Sequence, residues 1–337
     1  MIRIALVGCG SALDSFPSVV WRLKNATVSA VVHPNPEIGR GVVESVNALH
    51  TAESLEELLH SWGDSVDAVV IHSAIDDHAV PARLAVRAGK HVLVEAPLAD
   101  STASADDLIE SAREADVMLM AGQHSRFLPE HIEVKHALDA GKLGDPSLLR
   151  IHRWEPPTGE ARQAHRDDSM FLHRIVREMD LANWMFGTVP DRVYAVAHPG
   201  HADGEHVGKM AFGYFQAHLG FPDGGMAILD YCSTMPARST YHSLSLIGSR
   251  GAAYADDHRN IHLLYGRGGP QVVCSSAGTM HLVSQLQHFV DVIHENRQSE
   301  ITGADARAAI MVAETVALSI DTGHAQRLVD GGGYEPV

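Results

Sequence analysis

Short apolar runs alternate with amphipathic stretches over the first third of the chain. Ile2–Val7, Val28–Val32, Ala68–Ile71, His91–Val94 and Val117–Met120 are rich in Val, Ile, Leu or Met, without strict alternation. Such uninterrupted runs suit strands buried on both faces, as in a parallel sheet. Between them, Ala79–Ala88 places Val80, Leu84 and Arg87 at helical spacing. Asp100–Ala115 opens on Asp, Ser and Thr, good helix N-caps, and carries Leu108, Ile109 and Ala112. Strand and helix in alternation imply right-handed βαβ units and a doubly wound sheet.

The pattern changes near Gly122. A helix over Glu130–Ala140 leads to the turn Gly141–Pro146 and a strand over Ser147–Trp154. A helix at Ser169–Phe186 precedes strand-like segments at Arg192–Ala197, Lys209–Leu219, Gly225–Tyr231, Ser243–Ile247 and Ile261–Leu264. Helices over Met280–Asn296 and Ala304–Thr322 follow. Strands grouped with few helices between them predict a mostly antiparallel sheet with helices on one face. The expected architecture is α/β. Residues 1–122 form a Rossmann domain with a doubly wound parallel sheet. Residues 123–337 form an α+β domain with an open-faced, mostly antiparallel sheet for substrate binding and oligomerisation.

Length and charge narrow the function. A chain of 337 residues favours two domains. A formal net charge of −16 argues against nucleic acid and against anionic lipid as partners. Cys9, Cys232 and Cys274 are far apart, have no metal-ligand spacing, and suit a reducing compartment. The opening apolar run is too short for a signal peptide, and no apolar stretch reaches a membrane span. The expected location is cytoplasmic.

Gly8-Cys9-Gly10 follows the first strand. In a dinucleotide fold the first glycine makes the tight turn and the second admits the pyrophosphate, which main-chain N–H groups then hold. Ser11 belongs to the same loop; the third glycine position is Leu13. After the second strand, where an acid usually meets the ribose, stands His33, which can donate or accept a hydrogen bond. The expected cofactor is NAD or NADP, the choice being left open.

The chain resembles the glucose–fructose oxidoreductase / inositol dehydrogenase (Gfo/Idh/MocA) family almost end to end. The resemblance is carried by Gly8-Cys9-Gly10, Asp77-His78, the run Ala88 to Leu98, Arg126-Phe127, Met179 to Gly187, Gly248 to Gly251 and Gln287-His288-Phe289. It implies an oxidoreductase acting on a sugar, polyol or related small molecule, assembled as a homodimer or homotetramer through the C-terminal sheet. It also implies cofactor contacts at Ser73, His78, Glu95 and Pro97, and substrate contacts at His124 and Arg126.

The departures concern chemistry. The family usually reads Glu-Lys-Pro where this chain has Glu95-Ala96-Pro97. Its Asp and His, four apart on one helix, align with His173 and Arg177. Alanine moves no proton. Arginine is a poor base but a good anion clamp. His173 is the acid/base candidate at the aligned site, with Arg177 as clamp. No metal is expected, because His165, Asp168, His173 and Glu178 fit no recognised ligand spacing. A non-catalytic dinucleotide- or ligand-binding homologue, or a non-redox enzyme on the same scaffold, are the alternatives.

Overall fold

The computed structural model describes residues 1–8, 16–72, 78–156, 169–199, 201–202, 205–206, 212–235, 240–256, 261–266, 269–274, 280–329 and 333–337. By packing the chain divides into two compact units. The first comprises Met1–Phe127 with Gly278–Arg307, the second Leu128–Ala277 with Ala308–Val337. The expected boundary after Gly122 falls just short of the end of the first segment. The segment Gly278–Arg307 returns to the first unit late in the chain, which no local pattern signals.

In the first unit β1 (Ile2–Gly8), β2 (Ala26–Val32), β3 (His50–Ala52), β4 (Ala68–His72), β5 (His91–Glu95) and β6 (Leu119–Gly122) form one sheet. Their order is β3-β2-β1-β4-β5-β6 and every pairing is parallel. This is the doubly wound order in which the chain reverses direction across the sheet between β1 and β4. The apolar runs become strands because both faces are covered; Ala5, Val31, Val69 and Val92 are fully buried.

The connecting helices are α1 (Phe16–Val20), α2 (Pro36–Val46), α3 (Leu55–Trp62), α4 (Ala79–Arg87) and α5 (Thr102–Glu114). Sequence periodicity did not predict α2 or α3. Gly39 and Gly41 blur the pattern of α2, yet Asn35 caps it through the Glu37 N–H at 2.9 Å and Pro36 opens it. Ser54 caps α3 through the Glu57 N–H at 3.1 Å. The core face of α4 differs from expectation: Ala82, Ala85 and Val86 are buried, whereas Val80 is 65% exposed. Small residues let α4 approach the sheet closely, so size rather than hydropathy sets its face. Ser101 caps α5 by accepting the Ser104 N–H.

In the second unit α6 (Pro129–Asp139) precedes β7 (Pro146–Trp154) and α7 (Ser169–Phe186). Then come β8 (Arg192–Pro199), a small hairpin of β9 (His201–Ala202) and β10 (Glu205–His206), β11 (Phe212–Gly220), β12 (Met226–Cys232), β13 (Tyr241–Gly248), β14 (Ala252–Asp256), β15 (Ile261–Gly266) and β16 (Gly269–Cys274). After α8 (Met280–His294) and α9 (Gly303–Thr322), β17 (Gln326–Val329) and β18 (Gly333–Pro336) complete the described elements. The large sheet runs β16-β15-β14-β13-β7-β12-β11-β8-β17-β18. All neighbours are antiparallel except β7 and β12.

One face of this sheet is buried, with Leu149, Ile151, Phe215, Leu229, Leu244 and Leu246 in the core. The alternate positions Tyr194, Val196, Tyr214, Met226, Ile247 and Tyr254 are exposed. Strict alternation of this kind marks an antiparallel sheet packed on one side.

The helix α8 packs in the first unit. Val283, Leu286, Phe289 and Val290 join a core with Ile4, Leu6, Val70 and Leu93. The Gln287 amide accepts the Lys24 N–H at 2.7 Å and donates to Asp291 at 2.7 Å. His288 stacks at a tilt on Phe127 and meets Ser299 Oγ at 3.2 Å. The run Gln287-His288-Phe289 therefore ties α8 to the parallel sheet.

Candidate active site

Ligands of doubly wound sheets sit at the carboxyl ends of the strands, where the strand order reverses. Gly8 ends β1 beside His72, which ends β4. Glu95 ends β5 beside Gly122, which ends β6. These four residues form one edge of the parallel sheet. Gly8 has φ +86°, a backbone that side-chain-bearing residues avoid.

A cleft open to solvent lies along this edge. Val70, Ile71, Leu93, Val19, Leu282 and Leu286 supply apolar walls. His72, Glu95, His124 and Gln285 are its polar members, with Gly122 between them. A mainly apolar cavity with a few convergent polar groups is the usual form of a small-molecule or cofactor site. Gly122 is required sterically: a Cβ there would stand 2.9 Å from both Glu95 Cα and Gln285 Nε2.

His72 Nδ1 lies 2.9 Å from Glu95 Oε2, and both side chains are part-buried. Burial pushes the imidazole pKa down, but the hydrogen bond and charge of Glu95 outweigh it, so His72 holds its proton above the ordinary histidine range. Sequence reasoning missed His72, which directly follows the apolar run Ala68–Ile71. Its place at the end of a central buried strand was the available signal.

The other expected residues fall into separate places. Glu95 and His124 meet in the cleft; His124 also packs at a tilt against His281, with ring centres 5.6 Å apart. Pro97 follows a cis Ala96–Pro97 peptide, and its carbonyl lies 2.9 Å from His78 Nδ1. His78 is 1% exposed, so its described role is to pin the segment that carries Glu95 and Ala96. Ala96 is also buried. Arg126 is buried and faces Asp305 at 3.4 Å; the described cleft lining includes His124 but not Arg126.

At the end of β2, His33 Nδ1 sits 2.9 Å from the Asn35 N–H nitrogen and 3.1 Å from the Asn35 carbonyl. That ring nitrogen belongs to the turn capping α2. Arg40 Nε donates to the Pro36 carbonyl. Gly10, Ser11 and Ser73, together with Leu13, lie outside the described residues, as do His165 and Asp168.

His173 and Arg177 lie one turn apart on α7 in the second unit; the side chain of His173 is outside the description. Arg177 stands near an ionic cluster. Arg153 on β7 bonds Glu178 at 2.8 Å and Glu155 at 3.1 Å, and the Tyr231 hydroxyl donates to Glu155 at 2.8 Å. Burial pushes the Glu155 carboxyl up, but Arg153, Tyr231 and Arg177 together hold it below its ordinary value. The position aligned with the family's histidine is thus a fixed cation.

Among the described residues no group of three or more His, Cys, Asp or Glu is placed to hold a metal ion. Nor is any described helix long and apolar enough to cross a membrane.

The residues present fit a dinucleotide: a positive-φ glycine at the end of β1, an apolar cleft at the reversal of strand order, and a histidine after β2. Comparison with known proteins agrees. Residues 2–123 match the family model "Oxidoreductase family, NAD-binding Rossmann fold", and residues 131–254 match "GFO/IDH/MocA C-terminal domain". The chain is 22% identical over 335 residues to myo-inositol 2-dehydrogenase of Thermotoga maritima, covering 95% of this chain and 96% of that protein. It is 31% identical over 198 residues to inositol 2-dehydrogenase 1 of Saccharopolyspora erythraea, covering 57% of this chain and 56% of that one.

Among solved structures, scyllo-inositol dehydrogenase from Lactobacillus casei with bound NAD(H) and scyllo-inositol superimposes with a TM-score of 0.83. Its identity is 20%, with 97% of this chain and 99% of that one covered. The Rossmann sheet, the antiparallel sheet and these matches together make the chain a member of the GFO/IDH/MocA oxidoreductase family, with an NAD-binding Rossmann domain at residues 2–123.

Proposed function

We propose that the protein is a catalytically active NAD- or NADP-dependent oxidoreductase that interconverts a hydroxyl and a carbonyl on a sugar, polyol or related small molecule, with a histidine in place of the family lysine. The observation that carries this is the cleft at the carboxyl edge of the parallel sheet, where apolar walls enclose His72, Glu95 and His124. A bound nicotinamide supplies the hydride acceptor or donor. The Gly8 turn is suited to the pyrophosphate and His33 to a ribose. Pro97, pinned by His78, fixes the backbone that presents Glu95. His124 is suited to substrate. Arg177, always protonated, is suited to an anionic or hydroxyl-rich group, with His173 one turn away on the same helix.

The relatives named for inositol oxidation support a polyol as first choice. Fluorescence titration with NADH and NADPH, followed by cofactor reduction in the presence of a polyol and sugar panel, tests this. Binding with turnover is expected. Binding without turnover favours the non-catalytic homologue, and absence of binding excludes redox chemistry.

We also propose that the exposed sheet face mediates homodimer or homotetramer formation. Six large apolar or aromatic side chains on alternate positions of β8, β11, β12, β13 and β14 are open to solvent, an unusual density for a monomer surface. Val196→Glu is expected to reduce the mass measured by sedimentation, and an unchanged mass counts against this face.

A further inference from the structure

We propose that His72, held at Nδ1 by Glu95, is the proton-exchanging side chain of the cleft, taking the hydroxyl proton in oxidation and returning it in reduction. The proposal rests on the oxidoreductase function above and names the group that replaces the missing lysine. Three observations on the parallel sheet carry it. His72 lines the cleft. It is the sheet neighbour of Gly8, the last residue of β1. Its Nδ1 contacts a carboxylate at 2.9 Å, the arrangement that orients an imidazole and stabilises its cation in acid–base catalysis.

The chemistry balances with these parts. Neutral His72 donates Nδ1–H to Glu95, which leaves Nε2 as the basic atom. In oxidation the carbinol O–H bond breaks and its proton bonds to Nε2. A bound oxidised nicotinamide would take the C–H electron pair as hydride, leaving the carbonyl. The imidazolium then faces Glu95, and its proton returns to solvent before the next turnover. Reduction runs the same steps backwards. Ala96 no longer competes for this role. Glu95 becomes a positioning residue: it acts through His72.

The described residues that line the cleft with His72 come from several elements. Glu95 comes from β5 and His124 from the turn after β6. Leu282, Gln285 and Leu286 come from α8, and Val19 from α1. Glu95 is therefore the only carboxylate among the described residues lining the cleft, and its effect on His72 is separable by mutation.

The test uses the full-length protein with His72→Asn, Glu95→Gln and His173→Ala. Asparagine can still donate to Glu95 but cannot titrate. In the cofactor-free protein, NMR of isotope-labelled histidines should show one signal, absent from H72N, whose midpoint lies above the ordinary histidine value and falls in E95Q. With cofactor and an accepted polyol, H72N should lose about 10²- to 10⁴-fold in single-turnover hydride transfer and lose the pH inflection. NADH affinity should stay within about threefold of wild type. E95Q should keep an inflection at lower pH. An H72N enzyme that keeps both rate and inflection, or an inflection abolished by H173A instead, overturns the proposal while leaving the oxidoreductase function intact. A wild-type protein that binds neither NADH nor NADPH overturns both.

Discussion

The molecule holds two ionic sites of similar composition and different design. At the edge of the parallel sheet, the part-buried side chains of His72 and Glu95 pair beside a cleft. Under the antiparallel sheet, Arg153 lies between Glu155 and Glu178, with Tyr231 closing on Glu155. The cations decide what each site can do. Imidazole gains and loses a proton near neutral pH, whereas guanidinium does not. Burial opposes the charge of Arg153, and its two carboxylates more than restore it, so its pKa rises further. The first site can change charge during a reaction. The second is a permanent charge arrangement that fixes α7 to β7.

The sharpest way to test that contrast is Arg153→Met. Methionine keeps the stem volume but leaves Glu155 and Glu178 buried beside one another without their shared cation. Breaking a buried pair from one side typically costs about 3–5 kcal/mol, and this is the largest effect expected here. Urea denaturation should show the midpoint fall accordingly. Adding Glu178→Gln to R153M should recover part of the loss, because it removes one stranded charge. A loss under about 1 kcal/mol in R153M would mean the cluster is well solvated, as surface pairs are, and the distinction between the two sites would fail.

Gly122→Ala tests the other side with a steric change. The new Cβ would lie 2.9 Å from Glu95 Cα and from Gln285 Nε2. The amide can move, but the strand backbone cannot easily do so. Overpacking of this kind costs about 1–3 kcal/mol. Because the displaced strand carries Glu95, the His72 midpoint should also fall, which NMR detects. A destabilised protein with an unmoved His72 would show that Gly122 serves packing alone.

Glu95→Gln has a smaller effect with a definite sign in pH. The pKa of His72 is raised in the folded protein, so Glu95 stabilises the fold fully below the unfolded histidine pKa. That contribution is lost as pH rises through the folded pKa. Wild type should therefore exceed E95Q in stability most clearly at mildly acidic pH, by up to about 1 kcal/mol, given partial exposure. The two denaturation curves should converge above the His72 midpoint. A gap that widens with rising pH would contradict the pairing.

The sequence told these regions apart unevenly. Uninterrupted Val and Ile runs marked β1, β2, β4 and β5 because both faces of a parallel sheet must be covered. Gly8 was legible because a strand followed by G-x-G has few other uses. His72 and Glu95 were not legible as a pair: they lie far apart along the chain, and only lateral alignment of β4 and β5 at their ends brings them together. The cleft wall from α8 was equally hidden. Leu282, Gln285 and Leu286 reach the first unit because the chain returns to it after the antiparallel sheet. The helix α2 was missed for a local reason, two glycines inside a capped helix. His173 and Arg177 came from alignment, which places residues on a helix but not around a reacting atom.

The smallest expected effect isolates polarity without charge beside the cleft. Gln123 directly follows Gly122, is fully buried, and its amide oxygen and nitrogen have no hydrogen-bond partner among the described residues. An unmet buried amide is unfavourable, while an apolar side chain of similar size removes the unmet groups without opening a cavity. Gln123→Leu should therefore be neutral or stabilise by up to about 1 kcal/mol, read as a small rise in the denaturation midpoint. The His72 midpoint should not move, since the substituted side chain brings neither charge nor bulk to Glu95. If Gln123→Leu instead lowers stability by more than about 1 kcal/mol, the amide is satisfied by bound water. The edge of the parallel sheet would then carry a hydrated polar layer, and the low-polarity setting in which Glu95 acts on His72 would be lost.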